Sequence, residues 1–213
     1  MPVVRVREHV NPLSRKYQDP VIPPDWNQIY RVAQQPLHLD IGCGRGHFLA
    51  QMATQHPNWN FLGLEIREPL VHQANRWRDQ QHLGNLHYLF CNANTSLEPL
   101  LRSLPHGTLN RVSIQFPDPW FKRRHQKRRV VQPELVSAIA QFLQPGGDVF
   151  LQSDVEEVAI TMRDRFNENP AFTATSTTWL SENPLLIATE RERSTLEQSK
   201  PVYRILFIRT EDT

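Results

Sequence analysis

Apolar residues recur along this chain in short runs that alternate with amphipathic segments, a pattern that predicts strands and helices in turn. Leu37–Ile41 predicts a first strand, ended by Gly42-Cys43-Gly44-Arg45-Gly46, and His47–Gln55 predicts a helix. Asn60–Ile66, Leu86–Cys91, Arg111–Phe116 and Asp148–Gln152 predict further strands. Glu68–His82, Ser96–Leu104, Gln132–Leu143 and Val155–Glu168 predict the helices between and after them, and Gln144-Pro145-Gly146-Gly147 is a helix stop. Phe172–Trp179 and Val202–Arg209 read as two last strands joined by a polar, helix-poor stretch. Such alternation implies an α/β domain, with a mostly parallel sheet and helices on both faces. Its strand-to-helix turns then gather at the carboxyl edge of the sheet, where ligands bind in open α/β folds.

The first 34 residues break this pattern. They are rich in proline and basic residues (Arg5, Arg7, Arg15, Lys16; Pro12, Pro20, Pro23, Pro24) and read as a partly flexible arm with a short helix near Asp25–Ala33. Leu13, Tyr17, Ile22 and Trp26 predict that part of the arm docks. Residues 35–213 then form one domain. The apolar runs are far shorter than the ~20 residues a membrane helix needs. The N-terminus is charged and has no apolar signal region. Cys43 and Cys91 each close an apolar strand-like run, which predicts buried free thiols and a cytoplasmic location. Two isolated cysteines with no paired histidines predict no metal site. The chain is compatible with a monomer or a homodimer.

Charge changes the picture. Lys and Arg number 24 and Asp and Glu 22, but six of the basic residues fall between Lys122 and Arg129. Without those six, the remainder has 18 basic against 22 acidic residues. The positive charge is therefore local: Lys122, Arg123, Arg124, Lys127, Arg128 and Arg129. Six like charges in eight residues repel one another, which favours a polyanionic partner over a merely solvated helix face. Just before them stands Asp118, between Pro117 and Pro119, after the fourth strand. The prolines restrict its backbone, which fits either a site carboxylate or a turn residue. Trp120 and Phe121 follow, available for base stacking or for the core.

The glycine turn sits at the first strand-to-helix junction, as a nucleotide site requires. Glu65 ends the second strand, where an acid grips ribose hydroxyls, and Asn92-Ala93 follows the third. The glycines fall at 42, 44 and 46, and His47 stands where a dinucleotide fingerprint starting at Gly42 needs its third glycine. Asp40, just before the turn, would repel a pyrophosphate but suits a cationic amino-acid donor. The turn therefore resembles the first motif of class I S-adenosylmethionine-dependent methyltransferases, a Rossmann-like fold. That resemblance implies a seven-stranded, mostly parallel sheet with an antiparallel last strand.

The long motif Phe116-Pro-Asp-Pro-Trp-Phe-Lys-Arg-Arg-His-Gln-Lys-Arg-Arg129 makes the likeness narrower. With Asn11–Arg15, Gln152-Ser-Asp154 and Thr189-Glu-Arg-Glu192, it resembles the bacterial tRNA (guanine-N7-)-methyltransferase family over about residues 35–210. The resemblance implies methyl transfer from S-adenosylmethionine, leaving S-adenosylhomocysteine, to a tRNA guanine, guanine 46 of the variable loop. It implies that Asp40, Gly42, Gly44, Gly46, Glu65, Asn92, Ala93 and Asp118 form the donor site, with Asp118 the principal catalytic residue. Lys122, Asp154, Thr189, Glu190, Arg191 and Glu192 would meet the tRNA, and the basic run its backbone. The family often has an aromatic residue where this chain has Arg191. Read from spacing alone, Asp154 fits the N-cap of the helix starting at Val155 equally well. Two other functions share some of these features. A noncatalytic RNA-binding module leaves the donor turn without a use, and a methyltransferase for another substrate leaves the basic run without one.

Overall fold

The computed structural model describes residues 10–211. Arg5 and Arg7 of the arm lie outside the described residues. Seven strands form one sheet: β1 (Leu37–Ile41), β2 (Asn60–Glu65), β3 (Leu86–Phe90), β4 (Leu109–Gln115), β5 (Asp148–Ser153), β6 (Phe172–Ala174) and β7 (Tyr203–Arg209). Their order is β3-β2-β1-β4-β5-β7-β6. The first five are mutually parallel, and β7 runs antiparallel to both β5 and β6. This is the sheet expected from the resemblance.

The helices are α1 (Trp26–Ile29), α2 (His47–Gln55), α3 (Glu68–Gln80), α4 (Ala93–Ser103), α5 (Pro133–Phe142), α6 (Glu156–Asn167) and α7 (Glu190–Glu197). Among the described residues, no helix is long and apolar enough to cross a membrane.

Both faces of the sheet are buried, but they are built differently. Leu39, Ile41, Leu64, Val112, Ile114, Val149, Leu151, Ile205 and Phe207 pack with α4, α5 and α6 in one core. The second core sets Phe48, Leu49 and Met52 of α2 and Val71 and Ala74 of α3 against Phe61, Tyr88 and Phe150. On this second face, alternate strand positions are polar: His38, Asp40, Ser113, Gln115, Gln152 and Arg204 are all less than a tenth exposed. Alternation of this kind normally marks a solvated face. Here it marks polar groups that must find partners inside the protein.

Three expectations need correction. The connection before the last strand is not helix-poor, because it holds α7, capped by the Thr189 side chain accepting from the Glu192 N–H. The sixth strand stops at Ala174 rather than Trp179. Helix α4 starts at Ala93, earlier than expected, because the Asn92 side chain accepts from the Asn94 N–H and caps it. In the arm, Trp26, Tyr30 and Ala33 are buried in the first core, whereas Leu13 and Ile22 stay exposed.

Candidate active site

The parallel strands end together, and two cavities open at that edge. Both are lined by Gly42, Arg67, Phe116, Pro117 and Asp118. The smaller, about 130 Å³, adds Glu65, Asn92, Ala93, Trp120 and Arg128. The larger, about 560 Å³, adds Asp40, Gly44, Gly46, Asp154 and the first turn of α7. Asp118 thus stands where the two meet.

The glycine turn is built for close approach. Gly42 has φ +84°, and a Cβ there would meet no protein atom within 4 Å, so the backbone faces open space. Gly46 has φ +80°, and a Cβ there would lie 2.5 Å from the Tyr88 ring. The Tyr88 hydroxyl donates to the Gly46 carbonyl at 2.6 Å and fixes the turn from below.

Asp40 is buried beside this turn. Its Oδ1 accepts from Ser113 Oγ at 2.6 Å and from Gln115 Nε2 at 3.3 Å. Burial outweighs these bonds and pushes its carboxyl up to about 6, with the charge of Glu65 adding to the shift. His38 is kept neutral by burial, and its Nε2 lies 2.8 Å from Ser113 Oγ. Because the Ser113 proton is spent on Asp40, the His38 proton sits on Nε2 and faces Ser113. A buried carboxylate held by two neutral donors and facing a cavity fits the ammonium group of an amino-acid ligand.

Glu65 differs. Its oxygens accept from the Gly44 N–H (2.9 Å), the Arg67 N–H (2.9 Å) and the Arg67 guanidinium (3.0 and 2.9 Å). It braces the glycine turn, and ribose hydroxyls would share it with Arg67. The guanidinium pKa of Arg67 is raised, first by the Glu65 hydrogen bond, with the charge of Asp118 adding to it. Arg67 thus lies between the two acids, and spacing gave no sign of it. Asn92 is also committed: besides capping α4, its Nδ2 donates to the Pro12 and Tyr17 carbonyls at 3.2 and 3.1 Å. It shapes the smaller cavity by holding the arm across it.

Two non-glycine residues with positive φ flank Asp118, Phe116 at +49° and Trp120 at +41°. Backbone held in this region costs about 1–3 kcal/mol per residue and persists where surrounding bonds impose it. Here the Phe116 N–H donates to the Gln152 carbonyl at 2.8 Å, and Arg129 Nε donates to the Pro119 carbonyl at 2.9 Å.

That last bond corrects the reading of Arg129. It is 6% exposed and also bonds Thr161 and Glu157 of α6 at 3.0 and 2.5 Å. It clamps the motif to the domain and cannot also meet an RNA backbone. The rest of the run forms a short 3-10 helix, Arg123–Arg128. Lys122, Arg123, Arg124 and Lys127 are exposed, and so is Phe121. Arg128 is half-buried over the Trp120 ring, 4.9 Å from its centroid.

Three successive residues of the first turn of α7 each bond a side chain of the domain, two of them at the rim. Glu190 meets His47 Nδ1 at 2.8 Å. Arg191 donates to Asp154 Oδ2 from Nε at 2.9 Å and from Nη2 at 2.5 Å. Glu192 turns inward to Arg204, at 2.7 and 3.1 Å, and is 1% exposed. Glu192 is therefore unreachable for a substrate, a second correction. Asp154 is no N-cap either: α6 is preceded by Val155, whose N–H bonds Ser153 Oγ. Both cysteines are free, Cys91 buried with its thiol pushed up to about 12 by burial, and Cys43 half-buried. No group of three or more His, Cys, Asp or Glu able to hold a metal occurs among the described residues.

Comparison with known proteins identifies the family. A family model described as "Putative methyltransferase" matches residues 34–205. A tRNA (guanine-N(7)-)-methyltransferase of Trichormus variabilis is 64% identical, covering 98% of both chains. Its namesake in Synechococcus elongatus is 62% identical, covering 97% of both. In fold alone, the 16S rRNA methyltransferase KamB aligns with a TM-score of 0.61 at 15% identity, over 87% of this chain and 92% of that one. A precorrin-6y C5,15-methyltransferase from Geobacter metallireducens aligns with a TM-score of 0.54 at 14% identity, over 86% and 85%. With a matching family model over most of its length and full-length relatives above 60% identity, this chain belongs to the tRNA (guanine-N7-)-methyltransferase family.

Proposed function

We propose that this protein transfers a methyl group from S-adenosylmethionine to N7 of a guanine in tRNA, and that the guanine is residue 46 of the variable loop. The observation that carries the reading is the position of Asp118, at the meeting of a cavity edged by Glu65 and one edged by Asp40, Asp154 and α7. Glu65, Asn92 and Ala93 line the nucleoside side of the donor site. Asp40 receives the donor ammonium, and Gly42 and Gly44 let the ligand approach the backbone.

When bound, S-adenosylmethionine supplies an electrophilic methyl group on a sulfonium. Guanine N7 carries a free lone pair at neutral pH, so no side chain has to remove a proton before attack. The work of the protein is alignment and electrostatics. Asp118 holds the guanine at the cavity junction and favours the positive charge that its ring gains. Asp154 and the first turn of α7 orient the base from the far wall. Lys122, Arg123, Arg124 and Lys127 guide the RNA backbone, and Phe121 offers a stacking face. The enzyme works in the cytoplasm.

The test is incubation with methyl-labelled S-adenosylmethionine and bulk tRNA, followed by digestion and mapping. Label in 7-methylguanosine at position 46 is expected. Label in another nucleoside, or in none, refutes the assignment.

A further inference from the structure

A line of buried hydrogen bonds runs from the donor carboxylate to α7. Gln115 Nε2 donates to Asp40 Oδ1. Gln115 Oε1 accepts from Gln152 Nε2 at 2.7 Å, and the same nitrogen donates to Glu192 Oε2 at 3.2 Å. Asn183 Nδ2 donates to the same Glu192 oxygen at 2.8 Å, and Arg204 holds the other oxygen, Oε1. Gln115, Gln152 and Arg204 are direct partners in register across β4, β5 and β7. Gln152 spends both of its amide hydrogens on this line, and its Oε1 finds no partner among the described residues.

Two buried amides with an orphaned acceptor are a poor way to fill a core. Apolar side chains of the same volume would leave no polar group to satisfy. What the line achieves is direction. An ionised Asp40 only accepts, so it turns the Gln115 nitrogen toward itself and the Gln115 oxygen toward Gln152. That oxygen in turn fixes the Gln152 nitrogen, which reaches Glu192. If Gln115 turned over, two amide nitrogens would face each other and Glu192 would lose this donor. A cation at Asp40 favours the ionised form and so the orientation that holds Glu192. Glu192 carries Glu190 and Arg191 on the same helical turn, at the rim of the larger cavity.

We propose that Gln115 and Gln152 are positioning residues that couple binding of the methyl donor at Asp40 to placement of the Thr189–Arg191 turn, and through it to tRNA binding. The inference rests on the proposed function. Coupling of this kind is reciprocal, so bound tRNA tightens the donor site by the factor by which the donor tightens tRNA.

The test measures binding without turnover. The dissociation constant of S-adenosylhomocysteine, which keeps the ammonium, is taken with and without saturating tRNA. In the wild-type protein at about pH 5, where the Asp40 carboxyl without a ligand is mostly protonated, tRNA tightens it by about fivefold or more, and the effect fades above about pH 7. In Gln152→Leu, at a site that makes no bond to Asp40, the constant without tRNA stays within about threefold of wild type, while the effect of tRNA falls below about twofold. A purely structural role would lower thermal stability and leave the coupling intact, and that result overturns the proposal. A second probe needs no variant. 5′-Methylthioadenosine lacks the amino-acid portion, so tRNA should not tighten its binding to the wild-type protein, and equal tightening of both ligands overturns the proposal. If the wild-type protein binds both S-adenosylhomocysteine and tRNA without coupling, only this inference fails. If it binds no tRNA, the proposed function fails with it.

Discussion

Arg191 holds Asp154 by two hydrogen bonds to a single carboxylate oxygen, Oδ2, across the rim of the larger cavity. The Asp154 side chain is 13% exposed and that of Arg191 is 64% exposed. The arginine thus spends its charge on a neighbouring carboxylate at the cavity rim. Removing the acid should hurt more than removing the arginine. We expect Asp154→Asn to lower kcat/KM for tRNA about 10- to 100-fold, as for loss of a hydrogen bond to a charged group. Arg191→Tyr should keep kcat within about threefold. Steady-state kinetics on both variants check this, and a more severe loss in Arg191→Tyr would show that the guanidinium itself contacts the base.

Asp118 is placed by its neighbours, through the bonds at Phe116 and Pro119. Asp118→Ala should reduce single-turnover methyl transfer about 100- to 1,000-fold while tRNA affinity changes little. Near-normal turnover in that variant would remove Asp118 from the chemistry.

If Asp40 receives the donor ammonium as proposed, ligand binding should depend on pH. Its carboxyl is raised from 3.8 to about 6, and a cationic ligand needs it ionised. Affinity for S-adenosylhomocysteine should be level above about pH 7 and weaken as the pH falls through 6, by about tenfold per unit well below it. The effect on folding has the opposite sign. The folded protein binds this proton more tightly than the unfolded chain does, so the stabilisation is present at low pH and lost as pH rises through about 6. Titration of ligand affinity and of Tm from pH 4 to 8, with Asp40→Asn as reference, checks both. Parallel profiles in the two proteins would contradict it.

The basic run should divide into two kinds of residue. Replacing Arg123, Arg124 and Lys127 with Ala should weaken tRNA binding and lower the slope of log affinity against log salt by about 0.7–0.9 for each phosphate no longer neutralised. Arg129→Ala should leave that slope unchanged. It should instead cost about 2 kcal/mol, roughly 4–8 °C in Tm, because it releases Pro119, Glu157 and Thr161 together. A salt slope that drops in Arg129→Ala would place that side chain on the RNA.

Much was legible in the sequence. Periodicity set the order of strands and helices, because each element announces itself within a few residues. Asp40 and Glu65 lie at the ends of parallel strands, the glycine turn, Asn92 and Asp118 follow such strands, and strand direction alone carries all of them to one edge. The polar stretch holding α7 hid its helix, because that helix owes its place to Thr189, a cap, and to Glu192, a buried charge, rather than to an apolar stripe.

The sequence by itself determined the fold class, which residues reach the carboxyl edge of the sheet, and the local charge. The tertiary structure alone decided which charges are spent inside. Arg129 and Glu192 look like surface residues until their partners arrive, Glu157 and Thr161 from one helix and Arg204 from an antiparallel strand. The same is true of Gln115 and Gln152, ordinary polar positions on alternating strands. Burying a polar group is costly unless a partner meets it, and those partners stand 12 to 75 residues away in the chain. Local pattern cannot supply such pairings, and only the assembled sheet brings them within bonding distance.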